Sequence, residues 1–113
     1  MSYTAYARAQ NTTENPRAVE YKLLGQVTAA LMRAEETPGD MHQLMDAVLW
    51  NQAVWNAFFA DLAHEGNRLP QGLKKDIMAL ALWVMRETDR VMDRRSGVDG
   101  LINVNRTVMQ GLR

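Results

Sequence analysis

The chain has 113 residues, no cysteine, and 13 basic against 13 acidic side chains, for a formal net charge of zero. That length fits one domain, residues 1–113, with a modest core that needs neither metal nor disulfide. The missing cysteines remove thiolate metal sites and thiol nucleophiles, and the balanced charge is unlike the basic excess of a protein that grips nucleic acid through its phosphates.

The opening MSYTAYARAQ contains no long apolar stretch and does not read as a secretory signal. Tyr3, Ala5, Tyr6, Ala7 and Ala9 fit either a short helix or an arm over residues 1–14 that orders on a partner. Asn15-Pro16 starts the first long helix, because Asn caps well and Pro costs nothing at the first helical position. Val19, Leu23, Val27, Ala30, Leu31 and Ala34 follow at steps of three and four and form one apolar stripe. Thr37-Pro38-Gly39 ends it.

Asp40 caps the second helix, with Gln43 placed as in a capping box. Its stripe is Met41, Leu44, Val48, Trp55, Phe58, Phe59 and Leu62, and Gly66-Asn67 is the expected stop. Leu69-Pro70 opens a third helix with Leu73, Ile77, Leu80, Val84 and Val91 on one side, expected to close at Ser96-Gly97. A last short helix carries Leu101, Ile102, Val108, Met109 and Leu112. No segment alternates with period two between hairpin turns. The expected fold is therefore all-α: a compact bundle of three long helices plus one or two short ones. The longest apolar run, Ile77–Met85, is nine residues. A membrane span needs about 20, so the run reads as a buried helix. The missing cysteines also suit a reducing cytosol.

Charge is segregated along the chain. Residues 1–33 carry +2, residues 34–67 carry −6 with no Lys or Arg, and residues 68–113 carry +4. Either the acidic and basic segments pack side by side and neutralise each other, or the acidic segment faces a partner.

Chemical equipment is sparse. His42 and His64 are 22 residues apart on one predicted helix, or roughly 33 Å at 1.5 Å per residue, too far to share a metal. Asp89 and Asp93 interleave with Arg86, Arg90 and Arg94 as a solvated face of i,i+4 pairs. Serine-hydrolase, phosphate-loop and zinc-protease motifs are missing. No catalytic residue, metal ligand or cofactor is expected.

What stands out is apolar surface beyond one stripe per helix. Trp50 points roughly 120° away from the Leu44–Val48–Trp55–Leu62 line, so it either widens the core or touches a partner. Asn51, conversely, lies within the apolar face, where a buried amide needs hydrogen-bond partners. Met78, Met85 and Met92 recur every seven residues beside the third stripe, with Leu82 and Trp83 elsewhere on that helix. A central helix covered on several sides has this pattern; so does a groove of flexible Met side chains that accepts a partner helix. Trp50, Trp55, Met78, Trp83, Met85 and Met92 are the pool expected to contain partner-binding residues.

Several stretches in order resemble the FlaF family of flagellar regulators. They are Ala5-Tyr6 with Arg8-Ala9, then Asn15-Pro16-Arg17 through Glu20-Tyr21-Lys22-Leu23-Leu24-Gly25-Gln26-Val27-Thr28. Trp50-Asn51 with Trp55 follows, then Asn67-Arg68-Leu69-Pro70 with Leu73 and Ile77. Leu101-Ile102, Asn105-Arg106-Thr107 and Met109-Gln110-Gly111-Leu112 complete the series. The resemblance implies a cytoplasmic role in flagellum assembly through binding flagellin, chaperone-like, in post-transcriptional control shared with the translational regulator FlbT. It implies no catalytic residues. Action on flagellin mRNA is the rival reading, supported only by Arg86, Arg90, Arg94, Arg95 and Arg106. Oligomeric state is left open by the sequence.

Overall fold

Four helices account for all regular structure among residues 16–112, the part of the chain that the computed structural model describes. They are α1 (Pro16–Glu36), α2 (Met41–Ala63), α3 (Gln71–Met92) and α4 (Asp99–Leu112). The expected all-α bundle is what forms. The arm or short helix expected over residues 1–14 lies outside the described residues.

Each helix packs on its neighbour in the chain, and α4 returns to α1, so the four close into a ring with α1 and α3 on the diagonal. Short connections make consecutive helices antiparallel. Particular contacts fix the register: Met41 at the start of α2 meets Arg94 just beyond α3, and Gly100 and Gly111 of α4 lie against Trp83 and Leu73 of α3.

Capping explains where the helices begin and end. The Asp40 carboxylate accepts the Gln43 N–H at 3.0 Å, as expected of the N-cap. The reciprocal half of the capping box does not form. The Asp40 N–H donates instead to the Thr37 carbonyl, and the Gln43 side chain pairs with the Thr37 hydroxyl at 2.5 Å. α2 stops at Ala63 without a left-handed glycine: no described glycine has positive φ. The His64 ring accepts the Gly66 N–H, and the Asn67 side chain accepts the Leu69 N–H, turning the chain toward Pro70.

α3 also ends earlier than expected, at Met92 rather than near Ser96-Gly97. Arg94 takes φ 62°, its N–H donates to the Val91 carbonyl, and the Arg95 N–H reaches back to the Arg90 carbonyl. This is a Schellman ending with arginine where glycine is usual. The left-handed conformation costs an L-residue with a Cβ roughly 1–2 kcal/mol.

The core is built from the predicted stripes, except Met41, which is exposed at the start of α2, and from residues outside them, Leu24, Ala47, Val54, Leu69, Ala81 and Val98. Each stripe also contains one buried polar residue: Thr28, Asn51, Thr88 and Asn105. Three of these join. The Trp55 indole N–H donates to Asn105 Oδ1 at 2.8 Å. Asn105 Nδ2 donates to Asn51 Oδ1 at 2.9 Å and to Thr28 Oγ1 at 3.1 Å. The Thr28 hydroxyl itself donates to the Leu24 carbonyl at 2.5 Å. Indole N–H can only donate, so it fixes which end of the Asn105 amide faces it. That in turn makes Asn51 present its oxygen, and leaves Asn51 Nδ2 buried without a partner. Thr88 stands apart, bonded to the Val84 carbonyl of its own helix.

Two outcomes test this account. Asn105→Leu orphans the Trp55 N–H and the Asn51 oxygen, and should lower stability by about 2–4 kcal/mol in urea denaturation; a loss under about 0.5 kcal/mol would show that the network contributes little. Arg94→Gly and Arg94→Ala both remove the guanidinium, but only glycine relieves the backbone. The glycine variant should be the more stable of the two by about 1 kcal/mol.

Candidate functional site

The residues singled out in the sequence do not form one surface. Trp55 is 2% exposed, stacks at a tilt on Phe58 with centroids 5.8 Å apart, and spends its N–H inside the core. It offers nothing to a partner, because its place on the Val48–Phe58–Leu62 stripe points it at the bundle centre. Trp50 is half-buried on the flank of α2 that faces α1, beside Ala30 and Arg33. Trp83 is half-buried on the flank of α3 that faces α4. Its ring lies so close to Gly100 that a Cβ there would sit 3.0 Å from it. Met78 and Met92 are half-buried, and Met85 is 37% exposed.

The methionines belong to a different face. Since Trp83 and Glu87 approach α4, the opposite flank of α3, with Met78, Met85 and Met92, turns toward α2. On α2, Trp50 marks the side toward α1, so the opposite flank turns toward α3. That flank carries Met45, Gln52 and Phe59, also spaced by seven and also half-buried. In the register set by Met41 and Arg94, Met45 stands about level with Met92, Gln52 with Met85, and Phe59 with Met78. Two seven-residue rows therefore flank the α2–α3 seam. Outside the rows lie the two most exposed large apolar side chains of the described residues, Leu82 at 52% and Leu49 at 47%.

The outer side of α2 continues this surface. Leu49, Ala53, Asn56, Ala57 and Ala60 are all exposed. From Ala47 to Ala60 the sequence has no charged residue at all. A helix on the outside of a bundle normally presents charged and polar residues to water. Four uncharged turns with exposed Leu and Ala mark a surface suited to a partner. This was the strongest signal available in the sequence, and a search by apolar stripe alone passes over it, since alanines carry little weight there.

Charge does not neutralise across the bundle as side-by-side packing of the acidic and basic segments would require. Glu35, Glu36, Asp40, Asp46, Asp61 and Glu65 are all exposed. Among the described residues none of them makes an ion pair with Lys or Arg. Asp46 lies 3.5 Å from His42 Nδ1, and Arg90 pairs with Glu87 at 3.6 Å within α3. Arg94 and Arg106 place their guanidinium groups over the sulfurs of Met41 and Met32, at 3.4 and 3.3 Å. The arginines are thus spread over the end of α3, the α3–α4 loop and α4 instead of forming one stripe.

His42 is exposed beside Asp46, and His64 caps the end of α2. Among the described residues no three His, Cys, Asp or Glu side chains are placed to hold a metal ion. No described helix is long and apolar enough to cross a membrane. The arrangement is an apolar seam of flexible side chains beside the uncharged outer face of α2.

Comparison with known proteins gives this surface a setting. No curated protein and no solved structure matches the chain. The family model described as flagellar protein FlaF matches residues 2–112. That span takes in α1 to α4 and every residue of the seam and of the buried network, and the chain belongs to the FlaF family of flagellar proteins.

Proposed function

We propose that the protein acts in flagellum assembly by binding flagellin in the cytoplasm, in the manner of a secretion chaperone. Through that complex it takes part, with FlbT, in post-transcriptional control of flagellin synthesis. The family supplies the flagellar setting. The observation that carries the binding is the uncharged outer face of α2 joined to the α2–α3 seam, with Leu49, Leu82 and Met85 at its centre.

Such a face fits an amphipathic helix. A helix laid along the seam would bury its apolar side against Met78, Met85 and Met92 from α3 and against Met45, Leu49 and Phe59 from α2. Methionines adapt to differently shaped partners, because the thioether chain turns at low cost and is polarisable. The termini of unassembled flagellin are segments of this kind, and covering them before export would keep them from associating early.

Trp50 and Trp83 lie away from the seam, and Trp55 lies inside the core, so Met78, Met85 and Met92 are the part of the predicted pool assigned to this surface. The rival reading, direct action on flagellin mRNA, would need a basic stripe. The dispersed arginines, two of them laid over methionine sulfurs, do not make one.

Leu82→Glu and Met85→Glu place a carboxylate in the seam at positions already open to water. Each should leave thermal unfolding nearly unchanged. Burying such a side chain contributes about 1.5–3 kcal/mol, so each should weaken flagellin binding at least about tenfold, read by co-purification and by titration. Folded variants that bind flagellin normally would remove the seam from the reading. If the chain instead binds flagellin leader RNA with steep salt dependence, and does not bind flagellin, the mRNA reading replaces this one.

A further inference from the structure

A second recessed surface lies on the other side of α2. At about 100° per residue, Trp50 points roughly 160° away from Gln52 of the seam, so the two surfaces are separate. Here the C-terminal half of α1 and the first turns of α2 enclose an open cleft of about 570 Å³. Ala30, Ala47 and half-buried Trp50 make its apolar floor, and Asp40, His42 and Asp46 form the α2 rim, opposite Arg33 on α1.

Three features say what would fit. First, Trp50 lines the cleft and is only half-buried, so part of its side chain meets solvent. An aromatic face beside solvent attracts a guanidinium or ammonium group. Second, the carboxylates on the α2 rim are not neutralised. One Asp40 oxygen caps α2, and Asp46 has only His42 beside it, 3.5 Å away. Third, no Lys or Arg occurs anywhere from Ala34 to Asn67, so no cation on α2 itself competes for the site. Arg33 is the one fixed positive charge in the lining, which directs an incoming cation to the α2 side of the cleft.

We infer that the α1–α2 cleft is a second docking site, for a basic segment of a partner protein whose Arg or Lys lies over Trp50 and against Asp46, with an adjoining apolar side chain on the Ala30–Ala47 floor. It is independent of the seam proposed for flagellin. One protein then has two opposed faces: one apolar and nearly indifferent to salt, the other cation-seeking and salt-sensitive. A protein so built can hold a flagellar subunit and a second protein at once.

The test uses the full chain and two blocked peptides, acetyl-Ala-Arg-Leu-Arg-amide and its acidic counterpart acetyl-Ala-Glu-Leu-Glu-amide. Backbone and indole amide signals are followed by NMR at low and high salt. The basic peptide should shift the Trp50 indole N–H together with Ala30 and Asp46, and the acidic one should not. Asp46→Lys should weaken that binding about tenfold. Asp61→Lys, the same change of net charge at the far end of α2, should leave it within about twofold. Equal losses in the two variants, or shifts that miss Trp50, would mean diffuse attraction to an acidic helix and would overturn the site. Shifts at Trp50 that grow with protein concentration and without peptide would assign the cleft to a second copy of the chain, and would overturn the partner named here.

Discussion

The bundle depends on the hydrogen bonds of one carboxamide. Asn105 is fully buried, and a buried amide is costly unless its donors and acceptor are used. The oxygen takes the Trp55 N–H, and the nitrogen serves Asn51 and Thr28. These partners come from α1 and α2, so the requirement ties three helices to one register. Moving α4 by one turn past either neighbour would strand several polar groups in an apolar core. Packing alone penalises such slippage less sharply, because one apolar side chain often replaces another. The unpaired Asn51 Nδ2 follows from the same constraint: the indole dictates the orientation of Asn105, and Asn105 dictates that of Asn51.

α3 is outside this arrangement. Its buried Thr88 bonds only to its own helix, and its flank toward α2 is methionine. The α2–α3 seam is therefore a boundary of the ring where adjustment breaks no inter-helix hydrogen bond of the network. On the other flank the close fit of Trp83 to Gly100 holds α3 to α4. A frame of α1, α2 and α4 held by directional bonds, with α3 attached by shape, permits a seam that reshapes around a ligand while the fold persists. The same division explains why apolar surface can be exposed along α2 and α3 without loss of a unique structure.

Much of this was legible from residue order, and the failures have definite causes. Proline and Asp40 marked helix starts because their effects are local. Helix ends were harder. Ser96-Gly97 looked like the stop of α3, but Arg94 takes the left-handed position that arginine seldom occupies, and nothing in its identity announces that. Gly66 looked like the stop of α2, yet side-chain acceptors from His64 and Asn67 do the work there. Asn51 was legible as a polar residue in an apolar stripe. Asn105 was equally placed, midway between Leu101 and Val108 at steps of four and three, but its significance appears only when its partner helices are known. Trp55 lies on a stripe that points inward, and only its aromatic character favours a partner.

Residues 34–67 hold six acids and no base, and the simplest expectation is that neighbouring basic segments compensate them. The fold could have done so, since α1 and α3 both flank α2. Instead the acids lie at the end of α1, in the turn after it and toward the two ends of α2, exposed and without Lys or Arg partners among the described residues, while the middle of α2 has no charge at all. Exposed ion pairs contribute little to stability, so folding exerts little pressure either to make or to avoid them. An uncharged central span between acidic ends is therefore not imposed by folding, and it fits the binding surfaces proposed for α2. Charge at the middle would oppose an apolar helix lying along it, and bases at the ends would oppose a cationic partner. The distribution costs the folded chain almost nothing and suits both surfaces of the same helix.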